Sequence, residues 1–254
     1  MTLHYQVSGS GQALVILHGL FGSSDNWRGL AKQLTTVAQV ITVDLRNHGR
    51  SPHSTEQTYD LMADDLAELI DQLNINQIDL IGHSVGGKVA MAFSQRYPEL
   101  LRKLAVVDIA PRAYPDEHSA IFKALLALDL SLYKSRTEVD KALQKSILIK
   151  PVRQFLLMNL ASDNDGLKWQ LNLPALFDAY PQLLQAVCES DIVDVPCCFI
   201  RGGKSNYIKE QDVALIDATF PNSEIITIQQ AGHWVHADAP QPFLAKIIEF
   251  FDYD

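Results

Sequence analysis

The sequence predicts an α/β fold, a doubly wound and mostly parallel sheet of about seven strands with a helical segment inserted between two of them. Three observations lead there. Short β-type runs recur at intervals too long for hairpins and suited to helical crossovers. The stretches between them place apolar residues at helical spacing. Between residues 111 and 195 the strand signal stops and only helical patterns remain.

The runs are LHYQV (3–7), ALVILH (13–18), QVITVD (39–44), QIDLIG (77–82), LAVVDI (104–109), PCCFIR (196–201) and EIITIQ (224–229). The first two are joined by SGSGQ, a Gly-rich link that predicts antiparallel neighbours. Residues 58–74 read as a helix, with Leu61, Leu66, Leu69, Ile70 and Leu73 on one face, Thr58 or Asp60 at its start and Asn74 at its end. Residues 86–99 form another, stopped by Pro98, and 241–251 close the chain as a helix with Pro242 in its first turn. The block 111–195 shows helical patterns around 117–130, 137–149, 151–161 and 174–187, with aromatics and leucines that look exposed, Phe122, Phe155, Trp169, Leu176, Phe177 and Tyr180. Strands flank it on both sides, so a cap on one domain is expected: residues 1–110 and 196–254 as the core, 111–195 as the insertion.

Composition narrows the class. The chain has 254 residues, 47% hydrophobic and 20% charged, enough to bury a large core. A net charge of −9 without a basic run argues against nucleic acid. Cys188, Cys197 and Cys198 are odd in number, two of them adjacent in a strand-like run, which suits small buried hydrophobes better than a disulfide framework or a metal site. MTLHYQVSGSGQ shows no basic region followed by an apolar run, and no apolar segment is long enough to span a bilayer. A soluble cytoplasmic protein is the expectation, with its oligomeric state left open.

The strongest chemical signal is IDLIGHSVGGK, residues 78–88. Gly82-His83-Ser84-Val85-Gly86 matches G-x-S-x-G directly after an apolar strand and directly before a helix. The glycines allow strand and helix to approach closely while the serine hydroxyl projects from a strained turn. The helix N-terminus behind Ser84 favours developing negative charge. A loop serine among small residues is the bland alternative, and the strand-to-helix context argues against it.

A serine hydroxyl is a poor nucleophile until a base takes its proton. His233, in QQAGHWVHADAP (229–240), follows the last apolar strand and lies at the same end of the sheet as Ser84; His236 is the rival three residues on. His18, His48 and His83 are loop residues near that end, better read as structural hydrogen-bonders, and His4, His53 and His118 have no context. The base needs a carboxylate to fix its tautomer. Asp108 lies among Leu104, Ala105, Val106, Val107 and Ile109, where a carboxylate without partners would lose several kcal/mol of hydration. At the carboxyl end of a parallel strand, beside a histidine, it has the partner its burial demands. HGLFGSSDNW (18–27) supplies a Gly-rich turn, and the amides of Leu20 and Val85 are the candidate oxyanion donors.

Together these stretches resemble the α/β-hydrolase fold family over the whole chain: H-G-x-F-G at 18–22, DLRNHGRS at 44–51, G-H-S-x-G-G at 82–87 and G-H at 232–233, with Ser84, Asp108 and His233 in the family's order. DLRNHGRS reads as architecture, Asp44 and Arg46 holding loops. Most members carry the acid after the strand that follows the cap. That stretch here, CCFIRGGKSNYIKEQD, offers Lys204, Ser205 and Asn206 instead, with Glu210 and Asp212 further on, so the weight moves to Asp108. HGLFGSSDNW, DLRNHGRSP, GHSVGGKVAM, VDIAP, GGKSNYI and AGHWVHAD are similar to bacterial YbfF-type esterases.

That resemblance implies a serine esterase or thioesterase acting on a small-molecule acyl ester, acyl-CoA among the options, with Ser205 near the triad. Phe21, Ser205, Trp234, Phe122, Phe155 and Trp169 are candidates for the substrate pocket. No bound cofactor or metal is implied. Haloalkane dehalogenases and epoxide hydrolases of this fold use an aspartate nucleophile, and the elbow here holds Ser84. Cofactor-free haloperoxidases and carbon–carbon bond hydrolases share the serine triad and stay open, as does a non-catalytic binder on the same fold.

Overall fold

In the computed structural model, which describes residues 1–164, 166–188 and 192–253, seven strands form one sheet. The chain runs β1 (Tyr5–Ser8), β2 (Ala13–Leu17), α1 (Arg28–Leu34), β3 (Gln39–Val43), α2 (Tyr59–Gln72), β4 (Ile78–His83), α3 (Val85–Arg96) and β5 (Leu101–Val107). Then come α4 (Ser119–Leu126), α5 (Arg136–Leu143), α6 (Lys150–Leu157), a hairpin of β6 (Leu160–Asp163) and β7 (Gly166–Trp169), and α7 (Leu173–Leu183). The chain rejoins the sheet as β8 (Cys197–Gly202), continues through α8 (Val213–Thr219) to β9 (Ser223–Ile228), and ends with α9 (Val235–Asp238) and α10 (Pro240–Phe251). The strand order is β1-β3-β2-β4-β5-β8-β9, with β1 antiparallel and the other six parallel.

Side chains alternate between two hydrophobic layers, as a period of two requires. Val15, Leu17, Leu104, Val106, Cys197 and Phe199 meet α2 and α3 through Met62, Leu66, Val89 and Phe93. Leu14, Ile16, Ala105, Val107, Cys198 and Ile200 face the opposite layer, where Trp27, Leu34, Phe243, Ile247 and Phe251 pack. The adjacent Cys197 and Cys198 therefore point to opposite faces. Burial holds both thiols well above their usual range, so they stay protonated and inert.

Two expectations are corrected. β1 is not the neighbour of β2; it pairs with β3, from Tyr5 opposite Val43 to Ser8 opposite Val40. Every residue of β2 is buried, so it belongs inside the sheet between β3 and β4, whereas the largely exposed β1 suits an edge. The inserted block also holds the β6–β7 hairpin, where helical patterns alone were expected. The two strands have only four residues each, half of them exposed, too few for a period of two to stand out in the sequence.

At α2, Thr58 and not Asp60 is the cap: its Oγ1 accepts the Leu61 N–H at 3.2 Å, and Asn74 follows with φ of 54°. Between β5 and β8 the inserted block shares one hydrophobic cluster with the α2–α3 face of the sheet. Residues 165 and 189–191 of that span lie outside the described residues. Phe122, Leu176 and Tyr180, which looked exposed in the sequence, are buried in that shared cluster. Polar ties reinforce it: the Tyr59 hydroxyl donates to the Leu183 carbonyl at 2.6 Å, and the Asn159 amide to that of Phe21 at 2.6 Å. No helix among the described residues is long and apolar enough to cross a membrane.

Candidate active site

Ser84 and Asp108 each sit one residue past the end of adjacent parallel strands, β4 and β5. Ser84 N–H donates to the Val107 carbonyl at 3.0 Å, and Asp108 N–H to that of Ile200 at 2.9 Å. Both residues have left-handed backbone, with φ of 54° and 52°, a conformation worth about 1–3 kcal/mol of strain. At Ser84 the strain is made feasible by its flanking glycines. A Cβ on Gly82 would stand 2.3 Å from the Gly86 carbonyl oxygen, and one on Gly86 would stand 2.5 Å from that of His18. The turn thus throws the Ser84 side chain clear of the sheet at the N-terminus of the twelve-residue α3.

Asp108 is fully buried, yet its carboxylate is well supplied. Oδ1 accepts the Gly202 N–H at 3.0 Å, and Oδ2 accepts both the Ser205 hydroxyl and His233 Nδ1, the latter at 2.7 Å. A carboxylate only accepts, so His233 carries its proton on Nδ1 and leaves Nε2 free to take one. The imidazole stacks on Tyr207, centroids 3.8 Å apart, and its own carbonyl accepts from His83 Nε2 at 2.9 Å. Its ring is therefore fixed by a carboxylate on one edge and an aromatic on one face.

The other expected residues divide clearly. His236 lies flat on Trp27, centroids 4.0 Å apart, and burial pushes it down to about 3, so it stays neutral and away from Asp108. His18 donates from Nδ1 to the Gly19 carbonyl and accepts the Leu45 N–H at 3.0 Å, a structural role. Glu210 is exposed, and the buried Asp212 is taken by Arg112 at 2.8 Å, so neither carboxylate reaches His233. In DLRNHGRS, Asp44 accepts the Ser24 and Arg50 N–H groups and Arg46 grips Asp65 at 2.6 and 2.9 Å, which pins these loops. Among the described residues, no backbone or side-chain acceptor engages the N–H of Leu20 or Val85.

Two cavities meet at Ser84. The larger is walled by His233, Phe21, Phe155 and Trp234. The smaller is walled by Val85, Lys88, Tyr59 and Tyr114; Leu20, His118 and Tyr207 border both. Three expected pocket residues do not line either one. Phe122 is buried behind Phe21, with ring centroids 4.6 Å apart. Trp169 is held in the hairpin opposite Leu160, and Ser205 is turned onto Asp108. The sequence missed His118, Tyr207 and Lys88. Only Lys88 had a local signal, a charge four residues after Ser84 on a helix whose first ten residues are otherwise small or apolar. Among the described residues no group of three or more His, Cys, Asp or Glu side chains is placed to hold a metal.

This geometry can be set beside known proteins. Residues 12–240 match the family model for the α/β hydrolase fold. The chain belongs to the α/β-hydrolase fold family. The sn-1-specific diacylglycerol lipase ABHD11 of Danio rerio is 39% identical over 250 residues, 95% of this chain and 79% of the relative. Esterase YbfF of Escherichia coli is 37% identical over 240 residues, 94% of this chain and 92% of the relative. Among solved structures, a marine microorganism esterase superposes with a TM-score of 0.95 at 40% identity, covering 98% of this chain and 99% of its own. As a member of that family the chain carries the expected doubly wound sheet, and its sequence is similar to that of the YbfF-type esterases.

Proposed function

We propose that this α/β hydrolase is a carboxylic ester hydrolase that works through an acyl-enzyme on Ser84. One observation carries the reading: a fully buried aspartate bonded at 2.7 Å to a histidine whose cavity also holds a serine in a strained strand-to-helix turn. The relatives support its coarser part, since those described are an esterase and a lipase.

In the proposed cycle the Ser84 hydroxyl attacks the ester carbonyl as His233 Nε2 takes its proton. Asp108 holds the ring and stabilises the imidazolium without itself being protonated. The negative oxygen is received by the amides of Leu20 and Val85, backed by the N-terminus of α3. Collapse of the tetrahedral intermediate breaks the bond to the leaving group, which takes the proton from His233. A water then attacks the acyl-enzyme with His233 as base, releasing the acid and restoring Ser84. Residues 111–195 act as a cap whose Phe155 and His118 close the cavities over the serine and limit access of bulk water. A thioester would follow the same path, with a thiol leaving.

Incubation with p-nitrophenyl butyrate and with a fluorophosphonate probe tests the reading. Turnover and covalent labelling at Ser84, both abolished in Ser84→Ala, are expected. Folded wild-type protein that neither turns over nor labels would overturn it.

A further inference from the structure

The smaller cavity is lined by a lysine. Lys88 is one helical turn beyond Ser84, on the same face of α3, and only 1% exposed. A lysine so deeply buried is rare unless paired. Its ammonium donates to the Gln185 carbonyl and lies 5.7 and 5.1 Å from the ring centroids of Tyr59 and Tyr114. No carboxylate among the described residues comes within ion-pair distance. Glu117 borders the same cavity but is exposed and makes no ion pair with it. One carbonyl accounts for one of three N–H donors, which leaves a buried cation with donors to spare.

The two cavities divide the substrate. The leaving group must take its proton from His233, and His233 borders the larger cavity but not the smaller one. Val85 and Lys88 line the smaller one, which is left for the acyl group once the leaving group occupies the larger. An acyl chain entering there runs from Ser84 toward the ammonium.

We propose that Lys88 is a specificity-determining residue that binds a terminal carboxylate on the acyl group, so that the preferred substrates are half-esters or half-thioesters of short dicarboxylic acids. This rests on the reading of Ser84 as the acylated residue. Burial holds Lys88 down to about 7, as fits a site whose counter-ion arrives with the ligand. Tyr59 is not a competing anion, because its hydroxyl donates to Leu183 and burial raises it far above its usual range. A lysine that served only as a strut to Gln185 would affect all substrates alike.

The test compares ethyl hydrogen glutarate with ethyl butyrate, followed by acid release at constant pH, in wild type, Lys88→Met and Lys88→Arg. Wild type should favour the half-ester. Lys88→Met should lose about 30-fold or more in kcat/KM for the half-ester relative to ethyl butyrate, chiefly through KM, as expected for removing one partner of a buried charge pair. Lys88→Arg should recover part of the preference. A wild type that prefers ethyl butyrate, or a Lys88→Met variant that lowers both substrates equally, would overturn the proposal. Calorimetric binding of glutarate separates this proposal from the hydrolase reading. Glutarate bound by wild type and not by Lys88→Met, without ester turnover, would uphold the anion site and overturn the acyl-enzyme; turnover without glutarate binding would do the reverse.

Discussion

Ser205 and His233 share one oxygen of Asp108: the hydroxyl and the imidazole Nδ1–H both donate to Oδ2. The residue that occupies the stretch where the family usually carries its acid thus donates to Asp108 instead. Its backbone neighbourhood does too, since the Gly202 N–H reaches Oδ1 from the end of the same strand.

Replacing Asp108 with Asn should leave the fold intact and lower kcat on p-nitrophenyl butyrate by about 10,000-fold, because an amide can present its N–H to Nδ1 and favour the wrong tautomer. Circular dichroism and steady-state kinetics measure the two. The assignment fails if Glu210→Gln or Asp212→Asn has that effect while Asp108→Asn stays near wild type.

Ser205→Ala removes one of three donors from a buried carboxylate. A hydrogen bond to a charged group is worth about 1.5–3 kcal/mol, so a loss of that order in urea-denaturation stability is expected at pH 7. Activity should fall less than in Asp108→Asn, because the His233 contact persists. No measurable change in either would show that the Ser205 bond is dispensable.

Gly82→Ala puts a methyl 2.3 Å from a carbonyl oxygen of the backbone, which no side-chain rotation relieves. The elbow must open, which is expected to cost about 1–3 kcal/mol or more and to displace Ser84. Fluorophosphonate labelling at Ser84 should slow more than the thermal midpoint suggests. Labelling at the wild-type rate would show that the turn adapts.

Legibility of the sequence followed locality. Ser84 and Asp108 could be singled out because each is fixed by its own strand end: one by flanking glycines, the other by the energetic oddity of a carboxylate inside LAVVDI. His233 needed only its place after the last strand. β1 was misassigned because SGSGQ says that the chain turns without saying which strand it turns towards; the burial of β2 decides that. His118, Tyr207 and Lys88 line the cavities only because the inserted block folds back over the sheet. That arrangement depends on contacts such as Tyr59 to Leu183 and Asn159 to Phe21, far apart in sequence. No window of residues around His118 carries that information.

The buried lysine makes a pH prediction whose sign is fixed. Lys88 is held down to about 7 in the folded protein, with burial the main cause and Arg112 adding to it, whereas an unfolded lysine titrates near 10.4. Below pH 7 both states carry the proton, and the folded state bears the whole penalty of enclosing the charge. Between about 7 and 10.4 the unfolded chain holds a proton that the folded protein has released. Stability from this group therefore rises with pH across that window. Each unit of depression corresponds to about 1.4 kcal/mol. Lys88→Met should accordingly gain stability over wild type at pH 6.5, and its advantage should shrink steadily through pH 8 and 9.5. Taking the difference between the two proteins in urea denaturation removes the other titrating groups. A difference that stays flat from pH 6.5 to 9.5 would mean that the ammonium keeps its proton throughout, held by the Gln185 carbonyl and the faces of Tyr59 and Tyr114.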